Sequence, residues 1–342
     1  MSSLRNEGCT LTGALSVTTA VRDAVSIIHG PDGCAHHNFS LLHALQYEND
    51  QLVLPSIISS SLRETDIVFG GEEALARVIG RAQERHPGAI FVLTSCVAAA
   101  IGDDVSAVCG EVRDIPVRDI PVMVIPTGGF LGGGFHDGVI SALVSLSYLG
   151  STGSPSGMVN LVGEKNLEYE ADANFHEVSR LLALLGVQVQ LRFVRNCSLA
   201  DIRKLGSASL NIMRDASLSG VGAVLSDRFG TPSLPAFPVG FEGTLAFLEA
   251  AGRKLGIDSA GAIASEEAYQ QQVIGRFADL QGMAVRVREP GPAPGPVLAE
   301  LEKLFCFDLQ DNGQAPQIPD PLPVGTAGLS RMLHRWRRLC RA

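Results

Sequence analysis

Two stretches constrain this chain more than any others. AIFVLTSC (residues 89–96) and IPVMVIPTGG (residues 120–129) are apolar almost without interruption, with Pro and Gly at their borders. A strand with one face in water alternates polar and apolar residues, so an unbroken run is what a strand covered on both faces requires. Around them lie helix-period segments, EEALARVIGRAQERH (residues 72–86) above all, and a further strand pattern, AVSIIHG (residues 24–30). Strands alternating with helices imply βαβ units and a parallel sheet. The chain is therefore read as α/β, built of consecutive Rossmann-like parallel-sheet domains. Functional groups in such sheets collect beyond the carboxyl ends of the strands. Cys34, Cys96 and the glycine-rich run from Gly128 all follow a strand pattern, which sets them on loops along one sheet edge.

With 342 residues the chain exceeds one typical domain. STGSPSG (residues 151–157) reads as a linker, so residues 1–150 form a first α/β domain. A second, residues 158–257, starts with strand MVNLVGE, helix NFHEVSRLLALLG and strand VQVQLRFV. Residues 258–342 form a shortened third domain and tail, which leaves the third domain incomplete. Its one strand pattern, MAVRVRE, runs into PGPAPGP, which no strand or helix interior tolerates, and the pattern fades after Phe307. A sheet of so few strands cannot bury its own faces, so residues 291–328 are expected to exchange their amide hydrogens rapidly.

The net charge of −9, with no long basic helix, argues against a nucleic-acid partner. The one basic cluster, HRWRRLCRA (residues 334–342), reads as a solvated tail or a final helix, with a membrane or nucleic-acid contact as the alternative. No apolar run reaches the roughly 18 residues of a membrane span, and MSSLRNEGC lacks the apolar core of a signal peptide. A cytoplasmic protein is expected, where thiols stay reduced. The seven cysteines are then buried filler or metal ligands rather than disulfide partners.

Three cysteines share a context of small residues: EGCTLTGA (Cys9), HGPDGCAHH (Cys34) and LTSCVAAAIGDD (Cys96). Their spacing is no local CxxC clip, and any one of these thiols alone reads as buried filler. Three at one sheet edge invite a different reading. Thiolates bind iron–sulfur clusters, normally four to a cluster, so three from one chain leave a position for a partner.

C-x3-GA, HGPxGC, DIVFGGEEAL and TSCVxxxIGDD occur here in that order. Together they resemble the component 1 family of nitrogenases and nitrogenase-like reductases, strongly over residues 7–140 and more weakly to about 260. The family includes dinitrogenase subunits, cofactor-assembly scaffolds and light-independent tetrapyrrole reductases. The resemblance implies that Cys9, Cys34 and Cys96 ligate an iron–sulfur cluster, a [4Fe–4S] or P-cluster-like centre, at the interface with a homologous sister subunit. It implies a heterodimer doubled to a heterotetramer, and electrons delivered by a separate ATP-hydrolysing iron protein. The chain has no GxxxxGK[ST] loop of its own, in keeping with a separate ATPase. PTGGFLGGGFHDG (residues 126–138) resembles the family's glycine-rich loop, and Gly70 and Gly71 read as structural.

One departure bears on activity. Dinitrogenase anchors its catalytic cofactor with a cysteine just after a segment resembling ASLNIM; here the chain continues RDASLSG, with Asp215 near the expected thiol. Cys197 lies too early and reads as filler, as do Cys109, Cys306 and Cys340, and His334 is no more than a nominal candidate for the family's histidine contact. Nitrogen reduction itself is therefore not expected. Adjacent His36 and His37 read as surface or capping residues, with a proton relay as the alternative. Asp103 and Asp104 read as charges at a helix N-terminus. The leading function is the iron–sulfur subunit of an ATP-dependent reductase. The alternatives are a scaffold for cofactor assembly and a non-redox structural remnant.

Overall fold

The structure is a computed structural model that describes residues 8–48, 54–113, 120–168, 170–286, 295–310 and 322–341. The chain forms two compact units, interleaved along the sequence. One comprises Met1–Ser156, Asn160–Tyr169 and Gln190–Ser233, the other Gly157–Val159, Glu170–Val189 and Leu234–Ala342.

The first unit opens with α1 (Thr10–Thr18), β1 (Ala24–His29), α2 (Asp32–Glu48) and β2 (Ile57–Ser59). It continues through α3 (Glu64–Phe69), α4 (Glu72–Gln83), β3 (Ala89–Thr94), α5 (Cys96–Ile101), α6 (Val105–Arg113) and β4 (Val122–Ile125). A 3-10 turn (Gly129–Leu131) then leads into α7 (Phe135–Ser147). The four strands form one parallel sheet in the order β2-β1-β3-β4, with Ile27 beside Val92 and Val92 beside Val124. Both faces are covered, as the unbroken apolar runs require. Val25, Ile27, Ile90 and Val92 enter a core with α4 and α6, while Ile28, Phe91 and Leu93 enter another with α1 and α7.

A second sheet follows from β5 (Val159–Val162), α8 (Ala171–Leu184), β6 (Val189–Phe193), α9 (Leu199–Ile202), β7 (Leu210–Met213), α10 (Ser219–Phe229) and β8 (Ser233–Leu234), in the order β6-β5-β7-β8. Val159 N donates to Gln188 O and Gly163 N to Phe193 O, start to start and end to end, so β5 and β6 run in one direction.

In the second unit α11 (Phe241–Leu255) and α12 (Ala260–Arg276) precede β9 (Ala284–Arg286), α13 (Gly295–Phe305), β10 (Asp308–Gln310) and α14 (Gly325–Arg341). Phe241, Val273, Leu301, Phe305, Leu333 and Trp336 share a core. Arg331 and Arg335 on α14 pair with Glu170, and Arg337 with Asp279, so the basic cluster is a final helix with a partly ion-paired polar face.

Two expectations are corrected here. The MAVRVRE strand does have a companion, because β10 pairs with β9 in parallel, Leu309 beside Val285. Within 291–328, the described part is packed: α13 buries Val297, Leu301 and Phe305. VLAELEKLF carries an ordinary amphipathic period that the preceding Pro/Gly run obscures, and β10 is too short to show a period at all. Residues 291–294 and 311–321, also in that expectation, lie outside the described residues.

Candidate functional site

Each of the three motif cysteines stands at the start of a helix. Cys9 is the N-cap of α1, in extended conformation, and its carbonyl accepts Gly13 N–H at 3.1 Å. Cys34 lies in the first turn of α2, and Cys96 is the first residue of α5, where the Ser95 hydroxyl caps Ala98 N. Cys34 and Cys96 are thus on helices rather than loops, which corrects the sequence expectation. Pro31 and Asp32 are the entry to the Cys34 helix. Cys34 and Cys96 still lie beyond the carboxyl ends of β1 and β3, at one sheet edge.

Close backbone approach brings these starts together. A Cβ on Gly30 would lie 2.3 Å from Ser95 Oγ, so only glycine lets the turn into α2 lie against the turn into α5. Ser95 N–H donates to His29 O across the same gap at 2.9 Å. Burial pushes the Cys34 thiol up, and Cys9 and Cys96 push it the same way. Cys9 and Cys96 are exposed and Cys34 is half-buried.

Beneath them sits a buried polar cluster that sequence reasoning missed. His29 Nε2 meets Asp103 Oδ2 at 2.8 Å, and His29 Nδ1 meets Ser60 Oγ at 2.9 Å. Asp103 Oδ1 accepts Gly71 N–H at 3.0 Å, and Ser60 Oγ accepts Gly30 N–H at 3.0 Å. Burial lowers the His29 pKa despite the neighbouring carboxylate, so the imidazole is neutral at pH 7. The consistent assignment has Nε2–H donating to Asp103 and Nδ1 accepting from Ser60. Asp103 is therefore not the helix-end charge expected of it; Asp104 is, accepting Ala107 N–H at 2.9 Å. Gly71 has a second reason to be glycine, since a Cβ there would reach Asp103 Oδ2 at 2.8 Å. The only signal for this cluster was its spread over three motifs, HGPDGC, FGG and IGDD.

Among the described residues no three His, Cys, Asp or Glu side chains gather as a cage for a single metal ion. A polynuclear iron–sulfur cluster asks for something else: soft thiolates, each on a different iron, which need not converge on one point. The Cys34 thiol, pushed up by burial and by its two sulfur neighbours, ionises more readily beside shared positive charge. On donor chemistry the three thiols fit such a group, with one ligand fewer than it needs.

The other cysteines are elsewhere. Cys197 is packed into the core, where burial pushes its thiol up to about 12. Cys109 is buried and Cys306 exposed. His36 and His37 are exposed on α2, and His334 is exposed on α14, edge-on to Phe277.

A cavity of about 230 Å³ opens beyond the carboxyl ends of β5 and β7, between α1, the first turn of α7 and the turns that carry Lys165 and Asp215. Its charged walls are tied in pairs. Arg192 donates to both oxygens of Glu164 at 2.7 Å, and Lys165 lies 3.4 Å from Asp215 and 3.8 Å from Glu168. Burial opposes ionisation of Asp215, yet hydrogen bonds from Ser217 and the Lys165 charge hold its carboxyl below the usual range. No cysteine lines this cavity; Asp215 stands where the family comparison drawn from the sequence expected a thiol.

Residues 9–287 match the family described as nitrogenase component 1 type oxidoreductase. A nitrogenase iron-molybdenum cofactor biosynthesis protein NifE from Clostridium pasteurianum is 29% identical over 250 residues, covering 71% of this chain and 52% of that protein. The nitrogenase molybdenum-iron protein alpha chain of Methanococcus maripaludis is 25% identical over 329 residues, covering 90% of this chain and 68% of its own. A solved nitrogenase structure, Cp1 at pH 6.5, superposes with a TM-score of 0.68 at 25% identity, over 89% of this chain and 60% of that one. The chain thus spans between about half and two thirds of the length of these relatives. The match encloses Cys9, Cys34 and Cys96, and the α/β parallel-sheet fold is shared; the chain belongs to the nitrogenase component 1 family.

Proposed function

We propose that this chain is the iron–sulfur subunit of a nitrogenase-like, ATP-dependent reductase complex, in which Cys9, Cys34 and Cys96 give three thiolates to a cluster completed by a homologous sister subunit. The observation that carries the reading is the convergence of three helix starts at one edge, with the Cys34 thiol pushed up by burial and by its two sulfur neighbours. The cluster, when bound, supplies one-electron storage. The chain's own residues do the rest: Gly30 lets the α2 and α5 turns touch, Ser95 fixes the start of α5, and the hydrogen bond between neutral His29 and Asp103 ties the end of β1 to the segment just after α5. Two exposed thiols suit ligation shared across an interface. Apolar side chains left in water nearby, Val68 and Phe69 on α3 and Phe130 before α7, suit macromolecular partners on the same edge, since α3 and the 3-10 turn both pack on α5.

In this reading the partners are a sister subunit, in a heterodimer doubled to a heterotetramer, and a separate ATP-hydrolysing iron protein. The complex is cytoplasmic; among the described residues no helix is long and apolar enough to cross a membrane. The consecutive division 1–150, 158–257 and 258–342, with the last part shortened, belongs to the same proposal.

A second reading, a scaffold for cofactor assembly, is favoured by the NifE relatives and by the thiol-free cavity with its Lys165–Asp215 pair. Anaerobic purification tests the common core of both. Cys9→Ala, Cys34→Ala and Cys96→Ala should each lower bound iron and the brown absorbance, while Cys197→Ala leaves both unchanged. Full iron retention in Cys34→Ala would sink the assignment, and a colourless, iron-free wild-type complex would leave the structural remnant. Turnover with the cognate iron protein then separates reductase from scaffold.

A further inference from the structure

We infer that Thr12 is a positioning residue for the Cys9 sulfur: its buried hydroxyl is the hydrogen-bond donor that holds and tunes the Cys9 thiolate. The inference rests on the reading of Cys9 as a ligand, and goes beyond it to a residue that ligates nothing.

At an ordinary N-cap a side-chain oxygen accepts a backbone N–H from the first turn. Cys9 occupies that position on α1 but makes no such bond. Its sulfur instead meets the hydroxyl of Thr12, three residues on, at 3.5 Å, a contact in which either atom can donate. The direction follows from the state of the sulfur. A thiol donates S–H to the Thr12 oxygen; a thiolate has no proton, and then only Thr12 can donate.

Thr12 has nowhere else to turn. It is 1% exposed, so water does not reach it. Of the other hydroxyls of this segment, Ser16 donates to Gly13 O at 2.6 Å, Thr19 donates to Leu15 O at 2.6 Å and Thr18 accepts from Ser26 at 2.9 Å, while Thr10 Oγ1 is buried without a partner among the described residues. Among the described residues the Cys9 sulfur is the partner of the Thr12 hydroxyl. Its aim is fixed by packing as well. A Cβ on Gly8 would lie 2.8 Å from Thr12 Cβ, so the chain entering Cys9 lies directly on this side chain, and a β-branched residue has few rotamers to leave by.

A hydrogen bond to a ligating sulfur stabilises the added negative charge of the reduced state, and such bonds are among the levers that set cluster potentials. Losing the Thr12 hydroxyl should therefore make the centre harder to reduce while leaving all three thiols in place.

The test compares Thr12→Val, which exchanges hydroxyl for methyl at nearly constant shape, with Thr12→Ser, which keeps the hydroxyl. Thr19→Val removes a hydroxyl from the other end of α1. In the purified complex, iron per chain and the midpoint potential are measured in an anaerobic titration against an external one-electron reductant. In chelator-stripped protein, the rate of Cys9 alkylation at neutral pH is followed by peptide mass spectrometry. Thr12→Val should move the midpoint to more negative potential and slow Cys9 alkylation severalfold, with Thr12→Ser and Thr19→Val close to wild type. Iron loss in Thr12→Val that Thr12→Ser restores also supports the hydroxyl. An unshifted midpoint at full iron content, an unchanged alkylation rate, or equal damage in Thr12→Ser overturns the inference. Failure of the underlying reading is distinguishable: Cys9→Ala would then keep its iron, whatever Thr12 does.

Discussion

Gly13→Ala is the perturbation that should reveal most about how the thiol edge is built. Gly13 faces α7, and a Cβ built on it would lie 1.8 Å from the carbonyl oxygen of Phe135. Gly138 answers from α7, where a Cβ would lie 1.9 Å from Thr10 O and 2.9 Å from Ala14 N. Both obstacles are backbone, which cannot rotate away. Reaching even the 3.0 Å lower limit of real Cβ contacts requires the two helices to part by at least about 1.2 Å along that line. All nine residues of α1 are buried, so the movement opens gaps on its other faces. Overpacking of this kind costs roughly 1–3 kcal/mol or more, against about 0.5–1 kcal/mol that alanine returns through helix propensity. A net loss of about 1–2 kcal/mol is expected, along with reduced iron, since Cys9 rides on the end of α1.

Denaturant unfolding of Gly13→Ala, Gly138→Ala and the double variant measures this directly. Separating the helices once relieves both clashes, so the double variant should cost clearly less than the sum of the singles. Gly80→Ala is the contrast: nothing lies within 4 Å of its Cβ position inside α4, and the same exchange there should stabilise by roughly 0.5–1 kcal/mol. A Gly13→Ala protein as stable and as iron-replete as wild type would refute the close crossing of α1 and α7. Strict additivity would refute the shared cause.

His29 supplies a pH signature. Its folded pKa is lowered by burial, so the unfolded chain takes up the proton first, and stability present above about pH 6.5 should fall away as pH drops toward the folded value. His29→Gln should flatten that slope, and a wild-type stability indifferent to pH between 7.5 and 5.5 would contradict the neutral imidazole. At the cavity, Glu164→Gln removes the carboxylate from a buried two-pronged pair with Arg192 and should cost about 3 kcal/mol in denaturant unfolding. A loss under 1 kcal/mol would mean that the pair is solvated.

What the sequence discloses here tracks the range of the interaction that does the work. β1, β3 and β4 are legible because a strand buried on both faces needs nothing beyond its own apolar run, and α4 because its period repeats locally. Cys34 is placed on a loop because it follows the AVSIIHG strand pattern, yet Pro and Asp ahead of it equally open a helix, and only the packing of α2 decides. Asp103 looks like a helix-end charge next to Asp104. Its partner His29 is 74 residues away, and no local pattern reports that distance. β10 has three residues and no period, so its pairing with β9 is invisible before folding.

Three of the four motifs that identify the family are, in space, contacts with one another, and the fourth, C-x3-GA, meets the glycine-rich segment. The glycine of C-x3-GA touches the start of the helix that follows the glycine-rich loop, and the last glycine of that loop touches Thr10, beside Cys9. The first glycine of HGPxGC lies against the serine of TSC, and its histidine bonds the first aspartate of IGDD. The second glycine of DIVFGG donates its N–H to that same aspartate. His29 and Asp103 spend their polar atoms on each other, Ser60 and Gly71, and with the glycines they set where the thiols stand. A motif residue of this chain is therefore better judged by which other motif it touches than by its own functional groups. On that argument Gly30→Ala, which adds no charge and removes no ligand, should disturb iron binding as surely as loss of a cysteine. Its Cβ would enter the gap across which the starts of α2 and α5 meet.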